Sequence, residues 1–248
     1  MTGAARRIGR IVALTLAQRG WDVAVHYNRS SDDARATVRD IQALGRRAAA
    51  LQCDLADEHA VKLLLPRAIQ AFDGATVSCV VNNASLFDHD GAADFSLARL
   101  DAHMHTNLAA PVLLAQALHE ATPAGAQAVV VNLLDQKLFN LNPDFLSYTL
   151  SKAALQAATT MLAQALAPKV RVVGIAPGLT MVSHMQSADD FSATHALSPL
   201  GESSRPEEVA DAVAFAVENR ALTGSTIQVD AGQHLLPLSR DFSFIKRT

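Results

Sequence analysis

The sequence has few cysteines, no excess of either charge, no long apolar run and no repeat or low-complexity tract, and each lack removes a class of protein. Its two cysteines, Cys53 and Cys79, lie in or beside apolar runs without the paired spacing of a zinc site. Buried reduced thiols are therefore expected, and a disulfide framework is not. A net charge of −3 gives no electrostatic ground for a nucleic-acid or membrane partner. No apolar run reaches the ~18 residues of a membrane span, and the chain opens without the charged and apolar regions of a signal peptide. These features predict a soluble, cytoplasmic protein. The nine histidines make no case for a metal, because His103 and His105 are two apart and do not share a helix face. Asp88, His89 and Asp90 read as a polar loop.

What is present is a chain of 248 residues, 50% hydrophobic, long enough to bury the core of one α/β domain spanning 1–248. Short apolar runs alternate with helical periodicity, the pattern of βαβ units in a parallel sheet. Strands are predicted near Val23–Tyr27, Ala48–Gln52, Ser78–Asn82, Ala128–Leu133, Arg171–Ile175 and Thr226–Val229. Helices are predicted near Arg7–Arg19, Asp32–Leu44, Glu58–Phe72, Leu97–Glu120, Ser147–Leu166 and Pro206–Glu218. Pro206 followed by Glu207 and Glu208 is a favourable start, with proline in the first turn and acids at the positive end of the helix dipole. Two connections are long, Leu134–Leu146 and Gly178–Arg205. Loops at strand ends commonly carry function, so the region near 178–205 is expected to be a substrate lid.

Tyr148 and Lys152 stand four apart on a predicted helix and so share a face. A tyrosine ordinarily titrates near ~10, and a neighbouring ammonium favours the phenolate, which predicts a Tyr148 closer to working pH as a proton donor. Any amphipathic helix can carry this pair, but three further segments accompany it. Thr2-Gly3-Ala4-Ala5-Arg6-Arg7-Ile8-Gly9 leads into an apolar helical stripe, and its small residues let backbone N–H groups approach a pyrophosphate. Val80-Val81-Asn82-Asn83-Ala84-Ser85 is a buried strand running into a polar bend. Pro177-Gly178 follows an apolar run through Val170, Val172, Val173, Ile175 and Ala176.

In this order the four segments resemble the short-chain dehydrogenase/reductase family over nearly the whole chain. The resemblance implies a Rossmann-like, doubly wound parallel sheet with helices on both faces. It implies a cofactor site at Gly3, Arg7, Ile8, Asn83, Ala84, Pro177 and Gly178, with Asp54 and Leu55 at the adenine. Tyr148 would act as proton donor, Lys152 would tune it and hold the nicotinamide ribose, and Asn107 would organise a water path behind the lysine. Asp54 has an alternative role as the cap of the next helix. Relatives associate through the helix that carries Ala153, Ala154, Ala157 and Ala158, so a homotetramer or dimer is expected. The chain departs from the family at its start, where no strand precedes Thr2-Gly3. The expectation is a first strand that is missing or truncated, with either a true start upstream of Met1 or a weakened version of the fold.

Cofactor choice follows from charge. The second strand of the family pattern ends here in Asn28-Arg29-Ser30, with no acid before Asp32. A guanidinium and a hydroxyl suit a 2′-phosphate, so NADP(H) is expected. The alternative for Arg29 is an ordinary surface arginine. Arg7 in the phosphate loop, the polar strand end, and Asn82-Asn83-Ala84-Ser85 with Phe87 resemble the pteridine reductases and dihydromonapterin reductases more than other members. By that resemblance Arg7 would reach phosphate and pterin, Phe87 would stack on the pterin and Ser85 would bind its edge or the cofactor, while Arg6 reads as a solvated helix start. Asp135, thirteen residues before Tyr148, stands where most short-chain reductases have serine. An ionised carboxylate there would repel a developing alkoxide, whereas it suits a ring with N–H donors and, protonated, could feed a ring nitrogen. Its structural alternative is a turn aspartate, and that of Phe87 an exposed loop aromatic. The expected function is NADPH-dependent reduction of a pterin-like C=N substrate; the alternatives are reduction of an unrelated carbonyl compound, or a nucleotide sensor without turnover.

Overall fold

The computed structural model describes residues 1–182 and 188–244. The chain runs α1 (Arg7–Gln18), β1 (Val23–Tyr27), α2 (Ser31–Ala43), β2 (Ala48–Gln52), α3 (Glu58–Ala71), β3 (Cys79–Asn82), α4 (Leu97–Met104) and α5 (Ala110–Ala121). It continues through β4 (Ala128–Leu133), α6 (Leu146–Leu166), β5 (Val170–Pro177), α7 (Ala188–His195), α8 (Pro206–Glu218) and β6 (Thr226–Val229). All strand pairings are parallel. β4 is buried at every position and β5 at all but Pro177, as strands with both faces covered must be. Successive residues of β4 divide between two cores. Val129, Val131 and Leu133 pack with Val12 and Leu16 of α1 and Val209 and Val213 of α8. Val130 packs with Val61 of α3, Leu114 of α5 and Ala163 of α6. Helices thus cover both faces, the doubly wound arrangement. Val130, Val131, Val172 and Val173 are each 0% exposed, and such burial contributes roughly 1.5–3 kcal/mol per side chain.

The sheet is divided in two, a β1-β2 pair and a four-stranded β3-β4-β5-β6 unit. Residues Met1 to Ala4 span the gap only at its C-terminal end. The Met1 amine donates to Ala24 O at 2.9 Å, and His26 N donates to Met1 O at 3.1 Å. Thr2 N donates to Val81 O at 2.9 Å, and Ala4 N to His26 O at 3.0 Å. Below them a slot of about 270 Å³ lies between β1 and β3, lined by Trp21, Ala24, Leu65, Phe72, Cys79 and Val80.

The structure departs from expectation in three places. The helix expected over Leu97–Glu120 is interrupted by a π-helical turn at His105–Ala109. Pro111 has no N–H for the carbonyl four residues back, so the ladder widens there. The expected lid carries α7, and its residues 183–187 lie outside the described residues. Finally, Asp90 is no loop-surface acid. It is fully buried and accepts a hydrogen bond from Ser147 N at 2.9 Å, satisfying an orphan donor in the first turn of α6.

Candidate active site

The phosphate loop is tied down on both sides. Thr2 Oγ1 accepts from Asn83 N at 3.0 Å and Ala84 N at 3.1 Å, and Asn83 Nδ2 donates to Gly3 O at 3.0 Å. Gly3 N donates to His26 Nδ1 at 3.1 Å, and the other ring nitrogen lies 3.0 Å from Cys53 O. His26 therefore carries its proton on Nε2, and burial pushes its pKa down to about 4. Gly3 has a φ of +58°, and a Cβ on Gly9 would sit 2.0 Å from Gly3 O, so both positions require glycine. α1 has no acid in its first turn, and its opening N–H groups share the site with Arg7, which adopts a left-handed φ of 53°. Arg7 Nη2 donates to Val182 O at 3.0 Å. Arg6, expected to be a solvated helix start, lines the same cleft as Arg7.

At the end of β1, Asn28 and Arg29 are exposed, and Ser30 makes no side-chain cap bond. Asp32 is paired with Arg35 within α2. The end of β1 thus presents a guanidinium with no ion pair among the described residues, and a hydroxyl, a pair suited to a phosphate. Asp54 accepts from Ala56 N at 3.0 Å in a local turn. The cap of α3 is instead Asp57, whose Oδ1 accepts from His59 N and Ala60 N, so the capping alternative for Asp54 does not hold. Leu55 is buried beside it. At the end of β5, a Cβ on Gly178 would meet Gln233 Oε1 at 2.4 Å, so the backbone lies tight against the segment after β6.

Tyr148, Lys152 and Asp135 meet at the C-terminal end of β4. Tyr148 Oη donates to Asp135 Oδ2 at 2.6 Å, and Lys152 Nζ donates to Leu133 O at 2.7 Å. The expected lowering of the Tyr148 pKa by Lys152 is not what this arrangement gives. Burial, followed by the charge and hydrogen bond of Asp135, raises the phenol well above its ordinary value. Burial also pushes Lys152 down to about 8, partly offset by Asp135. The carboxyl of Asp135 is raised, by burial first, against hydrogen bonds from Tyr148 and Lys137 N. The proton-carrying unit is therefore the Tyr148–Asp135 pair, in which burial raises both groups while their hydrogen bond raises the phenol and lowers the carboxyl.

Asn107 sits in the π-helical turn with its amide fully used. Its Oδ1 accepts from Leu86 N at 2.8 Å and Ser85 Oγ at 3.3 Å, while Nδ2 donates to Leu86 O and Ser151 Oγ, both at 3.0 Å. In this state Asn107 holds the β3 loop against α6 and leaves no atom of its amide for a water path. Phe87 is not an exposed loop aromatic. It stacks on Phe145 at 4.2 Å and meets Tyr148 edge-on at 4.6 Å. The cleft between these groups is about 630 Å³, with Arg7, Ser85, Phe87, Asp135, Tyr148 and Gly178 on its walls. Gln136, Asp241, Phe242 and Ser243 also line it and were missed in the sequence. The last three stand on a segment whose only visible signal is its position near the end of the chain. No group of histidine, cysteine or acidic side chains that could hold a metal occurs among the described residues.

A family model described as enoyl-(acyl carrier protein) reductase matches residues 3–234. The 3-oxoacyl-[acyl-carrier-protein] reductase FabG of Staphylococcus aureus is 30% identical over 243 residues, covering 95% of this chain and 97% of that protein. The crystal structure of FolM alternative dihydrofolate reductase 1 from Brucella canis, complexed with NADP, is similar with a TM-score of 0.90 and 41% identity, over 95% of this chain and 92% of that one. A short chain dehydrogenase from Burkholderia cenocepacia in complex with NADP gives a TM-score of 0.85 and 33% identity, over 93% and 95% of the two chains.

Proposed function

The chain belongs to the short-chain dehydrogenase/reductase family, and we propose that it is an NADPH-dependent reductase of a pterin-like substrate, adding hydrogen across a conjugated C=N bond. The observation that carries this reading is the Tyr148 hydroxyl on the Asp135 carboxyl at 2.6 Å, where a serine would serve a ketone. The likeness to the NADP-bound FolM protein supports it.

The residues fit the cofactor. Gly3 and Gly9 let the phosphate loop close on itself and on Asn83-Ala84, where a Cβ would collide, the start of α1 carries no acid, and Arg29 and Ser30 present a cation and a hydroxyl for a 2′-phosphate. Gly178, Asn83 and Ala84 would form the rest of the floor, Asp54 and Leu55 would hold the adenine, and Lys152 would hold the nicotinamide ribose. When bound, NADPH supplies a hydride to the ring carbon. The chain's residues supply the proton. Asp135, with its carboxyl raised by burial, hands its proton to the ring nitrogen; the Tyr148 hydroxyl donates to the carboxylate that is left, and a proton from solvent restores the acid. Lys152, anchored on Leu133 O, places its positive charge beside the pair. Phe87 offers an aromatic face and Arg7 and Ser85 polar groups to the ring. α6 keeps Leu150, Ala153, Ala157 and Met161 exposed, a face suited to another copy in a dimer or tetramer.

A second reading, reduction of a 3-oxoacyl thioester, is favoured by the relatives matched in sequence. An acid at 135 argues against it, because a carboxylate opposes the alkoxide that ketone reduction forms. NADPH consumption with dihydrobiopterin, dihydromonapterin, dihydrofolate and an acetoacetyl thioester distinguishes them. Turnover of a dihydropterin is the expected result, and turnover of the thioester alone would overturn it.

A further inference from the structure

The segment after β6 is a built wall of the cleft. Its anchors are distributed along its length. Asn140 Nδ2 donates to Leu236 O, Arg240 Nε donates to Asp144 Oδ2 at 2.8 Å, Asp241 N donates to the same oxygen at 2.8 Å, and Phe244 packs on Phe145 at 5.9 Å. Lys137 is the key to its placement. Its backbone N–H donates to Asp135 Oδ1 at 2.8 Å, and its ammonium, with the side chain 3% exposed, pairs with Asp241 Oδ2 at 2.9 Å over the ring of Phe145. One residue thus fixes both carboxylates of the cleft.

Asp241 itself remains reachable, with 15% of its side chain exposed. Among the described residues, its Oδ1 accepts from Ser243 N alone and its Oδ2 from Lys137 alone, so each oxygen keeps a lone pair for a ligand. Gln136, next to Asp135 in the chain, lines the same cleft, and its buried Oε1 has no hydrogen-bond partner among the described residues. This wall is a row of acceptors, and a ligand that satisfies it must bring donors.

We propose that Asp241, set by Lys137 and brought to the cleft by the segment after β6, is a substrate-binding residue that with Asp135 and Gln136 selects a ring edge carrying an amino group beside a ring N–H. The proposal rests on the pterin reading and narrows it to 2-amino-4-oxo rings over their 2-oxo counterparts. A site built to accept N–H bonds rejects a ligand that presents an oxygen in their place, because two acceptors then face each other without a proton.

The test is equilibrium binding to the NADP⁺-loaded protein of two fluorescent ligands, a 2-amino-4-oxopteridine and the matching 2,4-dioxopteridine, alongside turnover of the dihydro forms. The amino ligand is expected to bind about tenfold more tightly or better. Asp241→Ala should erase that preference and leave NADP⁺ affinity unchanged. Asp241→Asn, which keeps the shape, should show a reduced preference if the alanine variant does not fold. Equal affinities in the unmutated protein, or a preference kept intact in a folded variant, would overturn the assignment. Binding of neither ligand would overturn both it and the pterin reading. A binding preference without turnover would sink the proposed activity and leave the Asp241 site standing.

Discussion

Acidification should loosen the phosphate loop through His26, and the size of the effect follows from the structure. The imidazole accepts from Gly3 N at Nδ1 and meets Cys53 O through Nε2, so adding a proton at Nδ1 removes the acceptor that Gly3 N has among the described residues. Burial lowers its pKa from an ordinary 6.5 to about 4. Between these values the unfolded chain binds the proton and the folded chain does not, so stability rises with pH across this window. Stability from the neutral ring is fully present above pH 6.5 and is lost progressively as the pH falls towards 4. At roughly 1.4 kcal/mol per unit, the full loss is about 3 kcal/mol. The Met1 amine, lowered by burial to about 6 from 8.0, contributes its own loss at higher pH. The assay therefore compares urea unfolding of the protein with that of His26→Gln, whose amide retains an acceptor without titrating. The free-energy difference between the two should shrink by about 2–3 kcal/mol from pH 7 to pH 4. A difference that stays constant with pH would refute the role given to His26, and NADPH affinity measured over the same range should weaken in parallel.

Further outcomes follow from other parts of the molecule. Arg29→Ala should remove a preference for NADPH over NADH of about tenfold, or about 1.4 kcal/mol, and equal affinities in the unmutated protein would contradict the phosphate assignment. Gly9→Ala places a methyl 2.0 Å from Gly3 O and should destabilise the protein by about 1–3 kcal/mol with loss of cofactor binding, which a melting curve with and without NADPH would read. Joining about five apolar residues to Met1 should fill the slot between β1 and β3. A gain of about 2 kcal/mol from new backbone pairing would raise Tm by about 4–8 °C, and an unchanged Tm would show that the slot does not accept a strand.

Most of the sheet was legible because parallel strands covered on both faces must be apolar at nearly every position, as β4 is. Tyr148 and Lys152 could be paired from helical spacing alone. The Tyr148 pKa was misjudged because burial and Asp135 outweigh a lysine that is itself desolvated, and neither burial nor partner geometry is written in local sequence. Asp90 resembled a loop acid because its partner Ser147 lies 57 residues away. Lys137 and Asp241 are 104 residues apart, and only the return of the chain across the cleft makes them neighbours. The π-helical turn had a local signal, Pro111, but proline alone does not distinguish a widened turn from a helix end.

The central claim is that Asp135 serves a nitrogen-bearing ring together with Tyr148. The most direct measurement is the initial rate of NADPH oxidation with a dihydropterin by the unmutated protein and by Asp135→Ser, with NADPH affinity measured on both. The account predicts turnover by the unmutated protein, a loss of about tenfold or more in the variant and an unchanged cofactor affinity. Dihydropterin turnover that survives intact in Asp135→Ser would contradict it, reducing the carboxylate to the acceptor that starts a turn.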